Sequence, residues 1–254
     1  MRASRLLAFV FALALSMAAS HADAAIALVA HTSAQSTGGA GAAVTTSAID
    51  TTGSTLLVVS VSWYLDGGGT LAVSDSKGNT WVQITSAIFN PGSARTQTVL
   101  FYVKNPTVGT GHTFTCGGAG TYCGIFVATF SGTDTAQNVD QVNQAGSGPG
   151  TSSTFQPGSV TPSQNNELIV SGLLQPSNTS QTLSIDSGFS KTDEAPLVSG
   201  NAFGGALAYF VQGTAAAINP TWTASPASGL AATIATFKAA SGAAAPIRHR
   251  ATTN

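Results

Sequence analysis

Apolar and polar residues alternate along most of the chain after residue 25, in short runs that end at Gly, Pro, Asn or Ser. A period of two is typical of β-strands that bury one face. No 11-residue window of this part of the sequence has the apolar spacing of an amphipathic helix. The sequence therefore predicts an all-β protein, with strands near 26–32, 42–49, 55–64, 70–75, 80–87, 97–104, 112–116, 122–130, 138–143, 153–160, 166–174, 181–186, 197–200, 205–212, 220–224 and 230–238.

The same pattern occurs twice. The stretch LLVVSVSWYLDGGGTLAVSDSKGNTWVQI at 56–84 returns in weaker form, 111 residues later, as ELIVSGLLQPSNTSQTLSIDSGF at 167–189. This spacing aligns Leu57 with Leu168 and Asp75 with Asp186, whereas later strands align at 108 and then 107. Spacing that holds within strands and changes across loops indicates a duplicated β unit. We predict two pseudo-repeated antiparallel β-sandwich units of jelly-roll or immunoglobulin-like type, at 25–132 and 133–240.

Side-chain parity assigns the two faces of the third strand, because successive residues point to opposite sides. One face is apolar and is expected to line the interior of the first sandwich: Leu57, Val59, Val61 and Trp63. The other carries Ser60, Ser62 and Tyr64 and is expected to face outward.

The first 24 residues have the pattern of a secretory signal peptide. Arg2 and Arg5 precede a 13-residue apolar run at 6–18, which is too short to span a bilayer, and Ala22-Asp23-Ala24 is a small-x-small cleavage site. Cleavage after Ala24 would leave 230 residues in the periplasm or outside the cell. Residues 241–254 have no periodicity and are expected to be a disordered tail.

Charge changes the picture mainly by exclusion. Without the leader the chain has seven basic and nine acidic residues, a net charge of 7 − 9 = −2. Residues 25–240 contain only five Lys or Arg, too few for a patch that follows phosphates, so nucleic acid is not an expected partner. No segment after the leader is long and apolar enough to span a membrane.

The only two cysteines, Cys116 and Cys123, flank GGAGTY. An even pair in an exported chain indicates a disulfide, here one that closes a hairpin. A loop this short would contribute about 2.5 kcal/mol by the chain-entropy estimate. The repeat aligns the two cysteines with Ala224 and Leu230, so an apolar contact can replace the bridge in the second unit.

The motif SDSKGNTW at 74–81 is first of all a turn, since Asp75 can accept backbone N–H groups and Gly78 allows a positive φ. A second hypothesis makes Asp75 and Asn79 ligands of a calcium ion, because hard cations prefer oxygen ligands. One carboxylate is few for calcium, and no cofactor is otherwise indicated.

Aromatic side chains are the candidates for ligand contact. Trp63 and Trp222 have the parity of core residues, whereas Tyr64 and Trp81 have the opposite parity to their apolar neighbours and are the predicted surface rings. Exposed rings on a β face are the means by which carbohydrate-binding modules stack on sugars. Packing in the core or under a loop is the alternative for both rings.

Catalytic patterns are weak. The chain has no GxSxG elbow and no HxxxH spacing, so neither a serine triad nor a metal pair has local support. A glycoside hydrolase would need two carboxylates about 5–9.5 Å apart. The candidates for such a pair are Asp66, Asp75, Asp186, Asp193 and Glu194.

LAVSDSKGNTWVQI, followed by LFYVKN, GHTFT, VATFSG and NELIVSG, resembles a group of uncharacterised secreted bacterial β-sandwich proteins with SDSxGNxW-type repeats. The resemblance covers about residues 26–238 and implies an extracellular or surface module, with no catalytic residues to carry across. The leading hypothesis is a secreted non-catalytic binding or structural module, with surface carbohydrate as ligand. The alternatives are an assembly protein of the envelope or matrix and a secreted glycoside hydrolase.

Overall fold

The computed structural model describes residues 25–36, 43–65, 71–90, 95–117, 121–137, 139–146, 151–175, 181–195 and 204–241. These residues form 16 strands and no helix, so no helix among them is long and apolar enough to cross a membrane. The first eight strands are β1 (Ala27–Gln35), β2 (Val44–Thr45), β3 (Leu56–Leu65), β4 (Ala72–Asp75), β5 (Val82–Asn90), β6 (Arg95–Lys104), β7 (Phe114–Gly117) and β8 (Thr121–Ser131). The other eight are β9 (Val142–Gly146), β10 (Ser152–Phe155), β11 (Glu167–Gln175), β12 (Thr182–Ile185), β13 (Ser190–Ala195), β14 (Gly204–Gln212), β15 (Trp222–Ser228) and β16 (Ala231–Phe237).

The strand order of the first half repeats in the second. In the first half a five-stranded sheet runs β1-β8-β3-β6-β5 and a three-stranded sheet runs β2-β7-β4. Adding eight to each strand number gives the two sheets of the second half, β9-β16-β11-β14-β13 and β10-β15-β12. Every pairing is antiparallel, and the nested pairs β1·β8, β2·β7 and β3·β6 are those of a jelly roll, with β5 moved to the edge beside β6. The predicted all-β fold with two repeated sandwich units is confirmed.

Most strands lie where the alternation predicts them, and the exception is instructive. The fifth strand of the second unit is Ser190–Ala195, with the sequence SKTDEA, and no strand was expected there. Its side chains are mostly charged or polar because it is an edge strand, which needs little apolar surface. The strand predicted at 197–200 lies outside the described residues.

Three apolar cores separate four layers of sheet. The first lies between the two sheets of the first unit and contains Leu57, Val61 and Phe114. The second is its counterpart in the other unit, around Ile169 and Trp222. The third lies between the two five-stranded sheets and takes residues from both units. The two units therefore form one body, with the three-stranded sheets as its outer layers.

The central interface corrects one sequence-based expectation. Ser60 and Ser62 were expected to face outward, but both are fully buried, because their face of β3 packs against the second unit. Small residues allow the close approach: Ser62 Oγ donates to the carbonyl of Leu173 at 3.2 Å, and a methyl group on Gly172 would lie 2.3 Å from Ser60 Oγ. Parity thus assigned the residues of β3 to the correct two faces. The serine face, however, is covered by the second unit and not by solvent.

Residue pairing also corrects the alignment of the repeat within β3. Leu56 pairs with Phe130, and Leu168 pairs with Phe237, which makes Leu168 the counterpart of Leu56 rather than of Leu57. The spacing is therefore 112 in this strand, not 111. A slip of one residue exchanges the two faces of a strand, and both faces of β11 are apolar enough to hide the slip.

The disulfide between Cys116 and Cys123 is present, with its Cα atoms 6.4 Å apart. Pairing places Ala224 opposite Leu183, as Cys116 is opposite Val73. Ala224 and Leu230 are both fully buried in the core of the second unit. Two buried apolar residues of one core thus stand at the positions that align with the bridge.

Candidate functional site

Tyr64 lies near the end of β3, at the junction between the two units. Its direct neighbour on β8 is Tyr122, and the two ring centroids are 6.0 Å apart with the rings tilted by 52°. Both rings are half-buried over Leu174 and Ala231, which belong to the second unit. The sequence predicted Tyr64 as a surface ring but gave no sign of Tyr122, because the pairing of β3 with β8 cannot be read from either strand alone.

Trp81, the other predicted surface ring, is half-buried and engaged within the first unit. Its ring contacts Phe114 edge-on, with centroids 6.1 Å apart, and its Nε1 donates to Asp75 Oδ2 at 2.7 Å. The indole thereby closes the SDSKGNTW turn onto the outer sheet. This contact makes Trp81 part of the packing of the turn, the alternative that parity left open.

The carboxylate of Asp75 is the centre of this turn, and its side chain is fully buried. Oδ1 accepts from the backbone N–H of Lys77 at 2.8 Å and from the Asn79 amide at 3.2 Å. The side-chain oxygen of Asn79, Oδ1, in turn accepts the backbone N–H of Thr107 at 2.7 Å. The oxygens that a calcium ion would use are thus already accepting hydrogen bonds, and a cation would have to displace these donors. No three acidic, His or Cys side chains converge in the described part of the chain.

His112 connects Asp75 to Thr51 in a buried row that no sequence motif predicted. Its Nδ1 lies 2.9 Å from Thr51 Oγ1, and its Nε2 lies 3.1 Å from Asp75 Oδ1, off the line of a well-formed hydrogen bond. The ring stacks on Phe114 at 4.3 Å. Burial lowers the pKa of His112 and so favours the neutral imidazole, although the neighbouring Asp75 acts in the opposite direction. Although the residue types match a catalytic triad, Thr51 and His112 are both fully buried, so the row is not open to solvent in this structure.

The acids proposed for a hydrolase have other partners in the described part of the chain. Asp193 contacts His31 of β1 at 3.0 Å, and Glu194 contacts Lys191 and accepts the N–H of Leu183. Asp186 accepts the N–H of Thr221. Asp66 lies outside the described residues.

Two other carboxylates do meet, at the entry to the second unit. The hydroxyl of Ser163 lies 2.9 Å from Asp140 Oδ1 and 3.3 Å from Glu167 Oε1. Burial raises the pKa of Glu167, and the charge of Asp140 adds to the rise. Burial also disfavours the charge on Asp140, but hydrogen bonds from Ser163 and Lys238 outweigh it and lower its pKa. Opposite shifts in neighbouring acids are a feature of acid-base sites. Here Glu167 is fully buried. Asp140 accepts the backbone N–H of Ser163, and Glu167 accepts that of Gln164, so the two carboxylates hold the 163–164 loop in place.

Comparison with family models, with curated proteins and with solved structures gives no match.

Proposed function

We propose that the protein is a secreted, non-catalytic module that binds neutral carbohydrate at the junction of its two units. The observation that carries the proposal is the pair of half-buried tyrosine rings, Tyr64 and Tyr122, beside each other on neighbouring strands. Ligand sites occur preferentially where two domains meet. This pair lies between the two units, and it includes Tyr64, one of the two rings that the sequence singled out.

Aromatic rings suit a neutral sugar for a physical reason. A ring presents a large apolar area at little cost in conformational entropy, and a phenol adds a hydroxyl that exchanges hydrogen bonds with water or ligand. Both rings pack on the buried apolar residues Ala87, Leu174 and Ala231, which introduce no charge. Such a surface favours an uncharged ligand that has both C–H faces and hydroxyl groups.

The test is retention of the secreted protein during electrophoresis through gels that contain neutral polysaccharides, with Tyr64→Ala and Tyr122→Ala beside the wild type. Loss of one stacking ring should weaken binding about tenfold, which corresponds to about 1.4 kcal/mol. Tyr64→Phe keeps the ring and serves as the matched control, and Trp81→Phe tests the second predicted ring while keeping an aromatic core contact. Wild-type migration unaffected by every polysaccharide, with the fold intact by circular dichroism, would refute the proposal.

An assembly role is the second candidate, and a specific edge strand favours it. Among the edges of the two five-stranded sheets, strands β1, β5 and β13 each carry an irregularity in their pairing, which discourages addition of a further strand. Strand β9 pairs with β16 without one and exposes Val142, whose exposed fraction is 49%. Concentration-dependent oligomers in analytical ultracentrifugation, abolished by Val142→Lys and unaffected by glycan, would favour this role over carbohydrate binding.

A further inference from the structure

Each outer sheet presents a row of hydroxyl groups to solvent. In the first unit the row crosses three neighbouring strands, from Thr45 through Thr115 to Ser74, which are direct partners in the pairing. Thr45 and Ser74 are exposed, Thr115 is half-exposed, and the two threonine hydroxyls lie 2.9 Å apart.

The second unit repeats the row at the equivalent positions. Thr154 pairs with Thr223, which pairs with Ser184, and the exposures follow the same order. The spacing between the units is 109, 108 and 110 residues at the three positions, so each loop between them has changed length while the hydroxyl types agree. The two rows lie on the outermost sheets of the four layers, one on each side of the body.

The outward-facing neighbours of the rows along their own strands are also small and uncharged. In the first unit the outward neighbours along the strands include Ala72 and Ser76, and in the second they include Thr182 and Ser225. Charged residues lie at the rims: Lys77 follows β4, Asp186 follows β12, and Lys191 donates to the backbone carbonyl of Leu183 on β12. Neighbouring strands are about 4.8 Å apart and successive outward side chains about 6.7 Å apart, so the hydroxyls stand in a regular two-dimensional array.

The size and charge of these faces decide what they fit. Three strands by two or three outward residues, at about 32 Å² for each position, give about 190–290 Å². This is far below the roughly 800 Å² per partner of a stable protein interface. The outward side chains named on each face are uncharged, and one lysine at each rim is too little positive charge to hold a polyanion such as nucleic acid. A neutral polymer needs neither a large interface nor positive charge, because it binds along a narrow strip and exchanges hydroxyl hydrogen bonds along its length.

We propose that each outer face binds a strand of neutral, insoluble polysaccharide, so that one molecule bridges two polymer surfaces. This inference rests on the proposed carbohydrate binding and adds a valency of two on opposite sides. Hydrogen bonds that replace those to water contribute little each, so a single face binds weakly. Two faces acting on one fibre network gain from effective concentration, which raises the overall affinity by roughly 10²–10⁴-fold.

Lysine substitution at the exposed edge of each row gives the test. Thr45→Lys and Thr154→Lys place a hydrated charge on β2 and β10, where edge strands tolerate lysine. Thr135→Lys, at an exposed position of the linker, is the matched control. The measurements are co-sedimentation with suspended microcrystalline cellulose and with chitin, and the bundling of those fibres by light scattering.

The inference predicts that the wild type and Thr135→Lys bind and bundle the fibres. Each single row variant should bind about tenfold more weakly and bundle the fibres less than the wild type. The double variant should not bundle them and should bind only as far as the tyrosine pair retains it. Wild-type binding that depends on Tyr64 but is unchanged in the double row variant would overturn the bridging inference while leaving the proposed function standing. No wild-type binding to either fibre, together with inhibition of ice recrystallisation by the wild type and not by the double row variant, would assign the hydroxyl array to ice and overturn it as well. Failure of every polysaccharide in the gel assay would instead refute the proposed function itself.

Discussion

Gly172→Ala adds one methyl group where the two five-stranded sheets face each other, and its effect measures how closely the units pack. The new Cβ would lie 2.3 Å from Ser60 Oγ, 3.0 Å from Ser60 Cβ and 3.1 Å from Thr233 Oγ1. Overpacking of this kind costs about 1–3 kcal/mol. Replacing Gly by Ala within a strand returns about 0.5–1 kcal/mol through chain entropy. The free energy of unfolding should therefore fall by about 0.5–2 kcal/mol.

The assay is urea unfolding followed by circular dichroism and tryptophan fluorescence. Gly213→Ala is the control, because Gly213 is exposed and a methyl group there meets nothing within 4 Å. Ser60→Ala removes the hydroxyl that Gly172→Ala strikes, at the cost of a 3.4 Å contact with Thr98 that contributes less than about 1 kcal/mol. The double variant should recover part of the loss, with a coupling energy of about 0.5–2 kcal/mol. Equal unfolding free energies for Gly172→Ala and Gly213→Ala, or no coupling to Ser60, would refute the close packing of the units.

Two further predictions concern buried carboxylates. Glu167→Gln should stabilise the protein by about 1–3 kcal/mol at pH 7, because Oε2 lacks a well-aligned hydrogen-bond partner, although the Thr236 hydroxyl is near enough to oppose the rise in pKa. The folded-state pKa of Glu167 lies above its ordinary value, so its favourable contribution to the free energy of unfolding exists below the unfolded-state pKa and is lost as the pH rises through the folded-state pKa. The gain in thermal midpoint of Glu167→Gln over the wild type should therefore shrink towards zero near pH 4. A gain that does not depend on pH would contradict this reasoning. Asp75→Ala should cost about 3 kcal/mol or more in urea unfolding, because it leaves the buried donors of Lys77 and Trp81 without an acceptor. Asp186→Ala, in the more exposed turn of the second unit, should cost about 1 kcal/mol, and equal costs would show that the Asp75 turn is not specially buried.

The fold could be predicted from sequence because its signal is local. Alternation and turn residues locate strands such as β3 and β8 to within a residue or two, and the repeat predicts that the second unit copies the first. The charged strand β13 was not predicted, because an edge strand needs no apolar alternation. The burial of Ser60 escaped because small polar residues look the same to parity whether they meet water or another sheet.

The candidate sites depend on pairing between distant strands, which one sequence does not specify. Tyr64 was predicted as a surface ring, but its partner Tyr122 is 58 positions further along the chain and becomes a neighbour only through the register of β3 with β8. The same holds for the row of Thr45, Thr115 and Ser74, whose members come from three separate strands. Asp75 was recognised as a turn residue, whereas its contact with Trp81 needed the structure.

The most direct test of the proposed carbohydrate binding is a binding isotherm of the protein on one insoluble neutral polysaccharide, measured for the wild type, Tyr64→Ala and Tyr64→Phe. The account predicts saturable binding of the wild type and of Tyr64→Phe, with an affinity about tenfold lower for Tyr64→Ala. Identical isotherms for the wild type and Tyr64→Ala, or no binding by any of the three folded proteins, would contradict it.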